Sequence, residues 1–241
     1  MDSIGHSLKT IRYSVISLKY VSTPREDFTA KNTRTAPSDN VLIIVDESIR
    51  GDYLSINTPE VNTTPALEKY LNKYQDNILN YGIMTASATA SSPARASVLT
   101  GFNHIPDTEL GSLRNPSVFD IAKANGYRTI LINVQGDFPD PLFRKSDMRS
   151  VDEVYLNDGD FDSASNMDAD FYAADFIHKR LAEEKGLFIF LEKVGAHIPY
   201  ETRYDGEDRA NQIFMPKMNR GERYTLEKRE RVINSYKNLL R

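Results

Sequence analysis

Two adjacent carboxylates, Asp46 and Glu47, directly follow the apolar run Val41–Val45. A short run of β-branched and aliphatic residues predicts a strand that is buried on both faces. Carboxylates at the end of such a strand are costly unless a cation meets them, and ligands gather at the carboxyl ends of strands in open α/β sheets. The pair therefore indicates a metal site, with a helix cap or a turn carboxylate paired with Arg50 as the alternative. Carboxylate oxygens alone suit Mg²⁺, Ca²⁺ or Mn²⁺, whereas carboxylate mixed with histidine suits Zn²⁺.

A second candidate element is the segment 91–101, which is preceded by a run of small residues and hydroxyls. A helix that starts near Pro93 would present unpaired N–H groups and the positive end of its dipole to an anion. Arg95 lies one turn into this helix, and its planar guanidinium suits the same anion. The candidate nucleophiles are the hydroxyls of Thr89, Ser91 and Ser92. The alternative role of these hydroxyls is to cap the helix.

The third candidate element is the loop Gly195–Tyr200, which follows a predicted strand at Leu187–Leu191 and contains His197. A histidine just beyond a buried strand is a candidate for ligand binding or proton transfer. Of the 4 histidines, His104 lies in a comparable loop but has no second chemical group near it in the sequence. A purely structural role is the alternative for each histidine.

These candidates need elements to hold them, and the chain alternates strand and helix patterns from residue 40 onwards. Residues 1–39 are polar and basic without a sustained period, so we expect a tether or arm there and one catalytic domain over 40–241. The alternation predicts an α/β fold with a mostly parallel sheet flanked by helices. Strands are predicted at 41–45, 80–84, 128–134 and 187–191. Helices are predicted to begin at Pro65 behind a Thr64 cap, near Pro93, at Ser117 before a Gly126 stop, at Asp170 and at Thr225.

The composition excludes several classes of protein. A chain of 241 residues with 40% hydrophobic residues can form one substantial core. A net charge of −4 and a pI near 5.7 argue against nucleic-acid binding. The absence of cysteine excludes disulfides, thiolate metal ligands and a cysteine nucleophile. The chain has no run of about 20 apolar residues that would span a membrane, and residues 1–25 lack the pattern of a signal peptide.

The order and spacing of these elements resemble the alkaline-phosphatase superfamily, in its sulfatase and phosphoethanolamine-transferase branch. The pattern Ser91-x-Pro93-x-Arg95, continued by Leu99-Thr100-Gly101, is similar to the sulfatase signature, with serine where many sulfatases carry the cysteine that becomes formylglycine. Four motifs look more like the phosphoethanolamine transferases: Asp46-Glu47, Asn62-Thr63-Thr64-Pro65, Gly126-Tyr127-Arg128-Thr129 and Gly195–Tyr200. The resemblance runs from about residue 40 to the C-terminus and implies a sulfatase-like fold.

The resemblance also implies a role for each candidate residue. Glu47 matches the family's first metal ligand, so the implied ligands of a divalent metal ion, zinc rather than calcium or magnesium, are Asp46, Glu47 and Ser91. The sulfatase register makes Ser91 the nucleophile, and the transferase register makes it Thr89. Arg95 and the Leu-Thr-Gly ending favour Ser91. His197 matches a histidine that contacts the transferred phosphoryl or sulfuryl group.

The implied function is metal-dependent phosphoryl or sulfuryl transfer through a Ser/Thr covalent intermediate, most similar to phosphoethanolamine transfer to lipid or glycan. The partner would be a phospholipid donor or a sulfate or phosphate ester at a membrane surface. The full-length enzyme would lie in the cell inner membrane with a periplasmic catalytic domain. The alternatives are a sulfatase-like ester hydrolase, and an inactive fragment or binding module.

Two departures from the family pattern set a further expectation. The family's remaining metal ligands come from an Asp-His-Gly segment, and no such segment follows His197. The membrane helices that precede the domain in the transferases are also missing. We therefore expect a C-terminally incomplete domain that holds at most half of the metal site, with weak metal affinity and little or no activity of its own.

Overall fold

A parallel sheet organises the chain, whose computed structural model describes residues 24–29, 37–89, 91–101, 114–135, 147–157, 168–204 and 213–241. The strands are β1 (Val41–Val45), β2 (Arg128–Asn133), β3 (Glu153–Leu156) and β4 (Leu187–Glu192). They form a four-stranded sheet in the order β1-β4-β2-β3. The β2–β3 pair is parallel, with Ile130 opposite Glu153 and Asn133 opposite Leu156. The predicted α/β architecture, a parallel sheet flanked by helices, is confirmed.

Between each pair of consecutive strands the described chain contains at least one helical segment, and a further helix follows the last strand. The α-helices of the described residues are α1 (Pro65–Lys73), α2 (Ser91–Thr100), α3 (Val118–Ala124), α4 (Ala169–Glu183) and α5 (Arg229–Leu240). Short 3₁₀ helices span Gly51–Tyr53, Pro59–Val61, Gln75–Asn77, Asp147–Ser150, Tyr200–Thr202 and Leu226–Lys228. In the ranges that the structure describes, no helix is long and apolar enough to cross a membrane.

The chain divides into two compact units. Unit 1 comprises Met1–Ile44, Ala86–Phe161 and Ala173–Leu191, and unit 2 comprises Val45–Thr85, Asp162–Tyr172 and Glu192–Arg241. The predicted boundary between an arm at 1–39 and a domain at 40–241 stays a prediction. In the described part of that arm, Arg25 is buried, and its Nε lies 2.7 Å from Asp147 Oδ1 within unit 1.

The core of unit 1 lies around β2 and β4, whose apolar side chains are buried along both strands. The ring of Phe119, from α3, meets Phe188 edge-on at a centroid distance of 5.5 Å and lies 5.7 Å from Phe190. Burial of three aromatic rings contributes a large share of the hydrophobic stabilisation of a unit this size.

A capping box sets the position of α3 against this core. The Ser117 hydroxyl accepts a hydrogen bond from Asp120 N at 3.1 Å, and Asp120 Oδ2 accepts one from Ser117 N at 2.8 Å. The helix ends as predicted before Gly126, whose φ of +84° is the left-handed conformation that favours glycine. The next strand, β2, begins two residues later.

The predicted burial of β1 on both faces is wrong. Among the described strands, β1 has a neighbour on one side only, β4, because it lies at the edge of the sheet. Val41 is 36% exposed and Ile44 is 54% exposed. At the start of the strand, Asn40 Oδ1 accepts a hydrogen bond from Leu187 N at 3.0 Å, which places residue 40 beside the start of β4.

Two local predictions in unit 2 are also wrong. Residues 80–84 form no strand; Tyr81 and Met84 are 78% and 74% exposed, and Gly82 has a φ of +76° that interrupts an extended backbone. Helix α1 begins at Pro65 as predicted, but the Thr64 side chain does not cap it. Thr64 Oγ1 instead accepts a hydrogen bond from Ser55 N at 3.0 Å.

Candidate active site

The Asp46 carboxylate, which directly follows β1, meets a cation from the residue that follows β4. Lys193 Nζ lies 2.7 Å from Asp46 Oδ2, and 4.0 Å from Asp170 Oδ2. The sequence predicted a cation at this position, and for Asp46 the structure supplies the lysine ammonium group. Arg50, the cation of the alternative interpretation, pairs with Asp52 at 2.6 Å.

The loop after β4 lies directly against the backbone of Glu47. Ala196 N donates a hydrogen bond to Glu47 O at 2.9 Å. A Cβ atom on Gly195 would lie 2.8 Å from Glu47 N and 3.0 Å from Glu47 O, closer than ordinary van der Waals contact. Gly195 also has a φ of +51°, so both its conformation and its surroundings require glycine. The close contact with Glu47 therefore explains why the first position of the Gly195-Ala196-His197 motif is glycine.

Asp170 holds the backbone at the start of the same loop. Its two carboxylate oxygens accept hydrogen bonds from Val194 N at 2.8 Å and from Gly195 N at 3.1 Å. A carboxylate that accepts backbone N–H groups makes strong, charge-assisted hydrogen bonds. Both Asp170 and Glu47 therefore hold the loop by hydrogen bonds to its backbone.

The Glu47 carboxylate has a defined neighbour in the next residue. The Ser48 hydroxyl donates a hydrogen bond to Glu47 Oε1 at 2.9 Å. Ser48 has a φ of +57°, a left-handed conformation that a residue other than glycine rarely adopts. The Glu47 side chain is half-buried, whereas Asp46 is exposed.

His197 lies in the same unit but is exposed to solvent. Its Nδ1 atom lies 2.6 Å from the carbonyl oxygen of Ile198, and its backbone N donates to Val194 O at 3.3 Å. The Nδ1 atom is thus the donor of this bond, which leaves Nε2 as the ring nitrogen available to a ligand. His104, the other histidine considered in the sequence, lies outside the described residues.

The remaining predicted residues lie in unit 1. Ser91 is the first residue of α2 and is exposed, as is Thr89 two residues before it. Arg95 is buried, and its Nη2 donates a hydrogen bond to Gln135 Oε1 at 2.8 Å. Gln135 follows β2, and its backbone N donates to Asn133 Oδ1 at 2.9 Å. Arg95 is therefore held at the carboxyl end of β2.

The described residues do not by themselves complete a metal site. Within the ranges that the structure describes, no group of three or more His, Cys, Asp or Glu side chains is placed to hold a metal ion. Asp46 and Glu47 have the oxygen donors that divalent ions accept, but Asp46 already pairs with Lys193. The donors present thus fit part of a coordination shell.

Sequence reasoning missed three residues that hold this site: Lys193, Asp170 and Tyr236. Tyr236 Oη accepts a hydrogen bond from Arg50 N at 2.8 Å and donates one to Ser48 O at 2.9 Å. Lys193 had a recognisable signal, because it directly follows a strand. Asp170 and Tyr236 lie within helices at ordinary spacing, and their sequence positions carry no such signal.

Comparison with protein families explains why these motifs occur together. Residues 39–241 match the family described as Sulfatase. This chain belongs to the sulfatase family. Its membership of the alkaline-phosphatase superfamily, expected from the motifs, is confirmed. Comparison with curated proteins finds no match.

Several solved structures are similar to this sulfatase-family chain. The C-terminal periplasmic domain of EcEptC from Escherichia coli, in complex with Zn, has a TM-score of 0.65 at 21% identity, over 91% of this chain and 60% of that chain. The integral membrane protein lipooligosaccharide phosphoethanolamine transferase A from Neisseria meningitidis has a TM-score of 0.68 at 17% identity, over 98% and 42%. The lipoteichoic acid synthase LtaP from Listeria monocytogenes has a TM-score of 0.54 at 18% identity, over 85% and 50%.

These identities establish a shared fold and no more. The sulfatase-family chain described here spans about 60% of the length of the EcEptC domain. We therefore give the activity, substrates and partners of the whole protein as proposals.

Proposed function

We propose that this chain contributes to metal-dependent phosphoryl- or sulfuryl-group transfer through a covalent Ser/Thr intermediate. The form that we favour is phosphoethanolamine transfer to a lipid or glycan. The observation that carries the proposal is the placement of Glu47 at the end of β1, held by the Gly195–Ala196 backbone in a sulfatase-family chain. Such strand ends are where ligands bind in α/β folds.

The proposed nucleophile is the hydroxyl of Ser91, with Thr89 as the alternative. The hydroxyl oxygen forms a bond to phosphorus or sulfur, the bond from that centre to the leaving oxygen breaks, and the hydroxyl proton leaves with the departing group. An acceptor hydroxyl or water then attacks the same centre, and its proton returns to the side-chain oxygen. Ser91 is exposed at the start of α2, which supports its access to a donor.

Charge on the transferred group would be stabilised by this chain's own cations and dipoles. The N-terminus of α2 carries a positive partial charge and unpaired N–H groups. Arg95 is held by Gln135 in a fixed orientation, so its guanidinium is pre-organised. His197, whose Nδ1 is engaged with Ile198 O, would contact the transferred group through Nε2.

A divalent ion at Glu47, with Asp46 and Ser91 as further ligands, would act as a Lewis acid and lower the pKa of the nucleophilic hydroxyl. The ligand type supports this assignment, and crystallisation of the similar EcEptC domain with Zn supports zinc as the ion. The role of Lys193 is then to hold Asp46 by its ion pair.

The substrate class is supported by the names of similar structures. One is a lipooligosaccharide phosphoethanolamine transferase and another is a lipoteichoic acid synthase. By that likeness we propose that the donor is a phospholipid and that the reaction takes place at a membrane surface. We also propose that the full-length protein lies in the cell inner membrane, with its catalytic domain in the periplasm.

Two other functions have specific support. A sulfatase-like ester hydrolase is favoured by Ser91-x-Pro93-x-Arg95, and it would pass the group to water. A binding module is favoured because the described residues contain no group of three or more His, Cys, Asp or Glu ligands.

Covalent labelling tests the proposal. The protein, in its longest natural form containing this chain, is incubated with zinc and either phosphatidylethanolamine micelles or p-nitrophenyl sulfate, then mapped by mass spectrometry. We expect a phosphoethanolamine adduct that Ser91→Ala abolishes, while Thr85→Ala, an exposed hydroxyl in the preceding run, leaves it unchanged. Loss of the adduct in Thr89→Ala instead would move the nucleophile to Thr89.

The metal assignment has its own control pair. Glu47→Ala should lower zinc affinity, whereas Glu60→Ala, an exposed carboxylate of the same unit, should not. An adduct that survives removal of both hydroxyls, or zinc binding that survives Glu47→Ala, would refute the proposal. Adduct formation from the sulfate ester alone would select the hydrolase.

A further inference from the structure

The hydroxyl of Tyr236, a residue of α5, bridges the turn that follows Glu47. Its oxygen accepts a hydrogen bond from Arg50 N at 2.8 Å and donates one to Ser48 O at 2.9 Å. The two contacts join residues 186 and 188 positions apart in the chain. The phenol thus accepts from one residue of the turn and donates to another, which ties the turn to α5.

The turn needs such support because Ser48 is strained. Its φ of +57° is unfavourable for a side chain with a Cβ atom, and such residues persist only where their surroundings over-determine them. The Ser48 hydroxyl in turn donates to Glu47 Oε1 at 2.9 Å. Tyr236 therefore acts on the backbone of the residue whose side chain holds the Glu47 carboxylate.

The ring of Tyr236 is held independently of its hydroxyl. It packs edge-on against Tyr53 at a centroid distance of 5.4 Å and lies 5.1 Å from the ring of Tyr200. Tyr236 is 6% exposed, and burial raises the pKa of its phenol. The hydrogen bond to Tyr236 comes from the Arg50 backbone N, and the Arg50 guanidinium pairs with Asp52.

We propose that Tyr236 is a positioning residue that orients the Glu47 carboxylate by locking the Ser48–Arg50 turn. The inference rests on the proposed function, in which Glu47 serves group transfer. The backbone carbonyl of Glu47 also accepts a hydrogen bond from Ala196 N. Residues 47–50 are therefore held by two elements distant in sequence, the loop after β4 and helix α5.

Tyr236→Phe tests this role because it removes only the oxygen atom and keeps the ring contacts. Amide hydrogen exchange is measured by NMR in the whole protein. We expect exchange at Arg50 N to become about tenfold faster, as loss of one buried hydrogen-bond partner implies. The matched control is Tyr224→Phe, because Tyr224 Oη accepts from Tyr200 N at 2.8 Å; it should accelerate exchange at Tyr200 and leave Arg50 unchanged.

A second readout separates positioning from simple structural support. With the donor that labels the wild-type protein, Tyr236→Phe should lower kcat about tenfold and leave KM unchanged, because misplacement of a group acts on the transition state. Tyr155→Phe, which removes a tyrosine hydroxyl in unit 1, is the control for kcat.

Unchanged exchange at Arg50, or faster exchange with an unchanged kcat, would overturn the positioning role. Failure of the proposed function is recognised separately. In that case the wild-type protein would form no covalent adduct with any donor, while the exchange difference between the two tyrosine variants at Arg50 would persist.

Discussion

Replacement of Gly195 by alanine tests whether the loop after β4 must lie directly on the backbone of Glu47. An alanine Cβ would lie 2.8 Å from Glu47 N and 3.0 Å from Glu47 O. The Cβ would come closest to Asp46 Oδ1, a side-chain atom that can move, but the two Glu47 atoms belong to the main chain and cannot rotate away. The loop must therefore move, and the hydrogen bond from Ala196 N to Glu47 O, 2.9 Å long, is expected to weaken.

The cost follows from two separate effects on the folded state. A left-handed conformation costs alanine about 1–2 kcal/mol, and overpacking costs about 1–3 kcal/mol more. The smaller conformational freedom of alanine in the unfolded chain offsets about 0.4–1 kcal/mol. We expect Gly195→Ala to lower the free energy of unfolding by about 3 kcal/mol.

Gly221→Ala is the matched control because it has the conformational effect without the steric one. Gly221 lies in the same unit, has a φ of +79°, and its Cβ would meet no atom within 4 Å. Its substitution should cost about 1 kcal/mol. The difference between the two variants, about 2 kcal/mol, isolates the close approach of Gly195 to Asp46 and Glu47.

Urea denaturation followed by circular dichroism measures both free energies, since the chain contains no tryptophan for fluorescence. NMR amide shifts locate the change: Ala196 should shift in Gly195→Ala and stay in place in Gly221→Ala. Equal costs for the two variants, with no shift at Ala196, would refute the reasoning.

Two further predictions concern unit 1. The pKa of Glu153 is lowered from 4.5 to about 2, mainly by its hydrogen bonds from Arg180, so its stabilisation is present above pH 4.5 and is lost as the pH falls towards 2. Glu153→Gln should therefore cost about 1 kcal/mol at pH 7, after allowance for solvent screening, and progressively less as the pH falls from 4.5 through 2. Acid titrations of unfolding measure this, and Glu183→Gln, at an exposed carboxylate, is the unaffected control. Ser117→Ala removes the capping-box hydroxyl that accepts from Asp120 N and should lower the free energy of unfolding by about 1–2 kcal/mol in urea titrations. No measurable change in either variant would contradict the corresponding assignment.

The fold could be predicted where local pattern and tertiary environment agree. Apolar runs at 128–134 and 187–191 become the buried strands β2 and β4, and Gly126 ends α3 because the chain there requires a positive φ. Residues 80–84 have a strand-like composition but no described neighbour strand with which to pair. Strand formation depends on such a partner, which composition does not reveal.

The part of the candidate site that depends on neighbouring residues in the sequence could be predicted. Asp46 and Glu47 were identified because two carboxylates at a strand end are costly, and Gly195 because glycine begins a motif beside His197. The cation that meets Asp46 is Lys193, 147 residues away, and the hydroxyl that fixes the following turn is Tyr236. No local periodicity encodes contacts at such separations.

The sequence by itself determined the α/β class, the family motifs and the carboxylates that need a cation, because each depends on residue types and short spacings. Tertiary structure alone decided that β1 is an edge strand, that Lys193 neutralises Asp46, and that Tyr236 holds the strained Ser48. These features arise when segments far apart in the chain are packed together, where hydrogen-bond distance, sheet order and burial, rather than composition, select the partners.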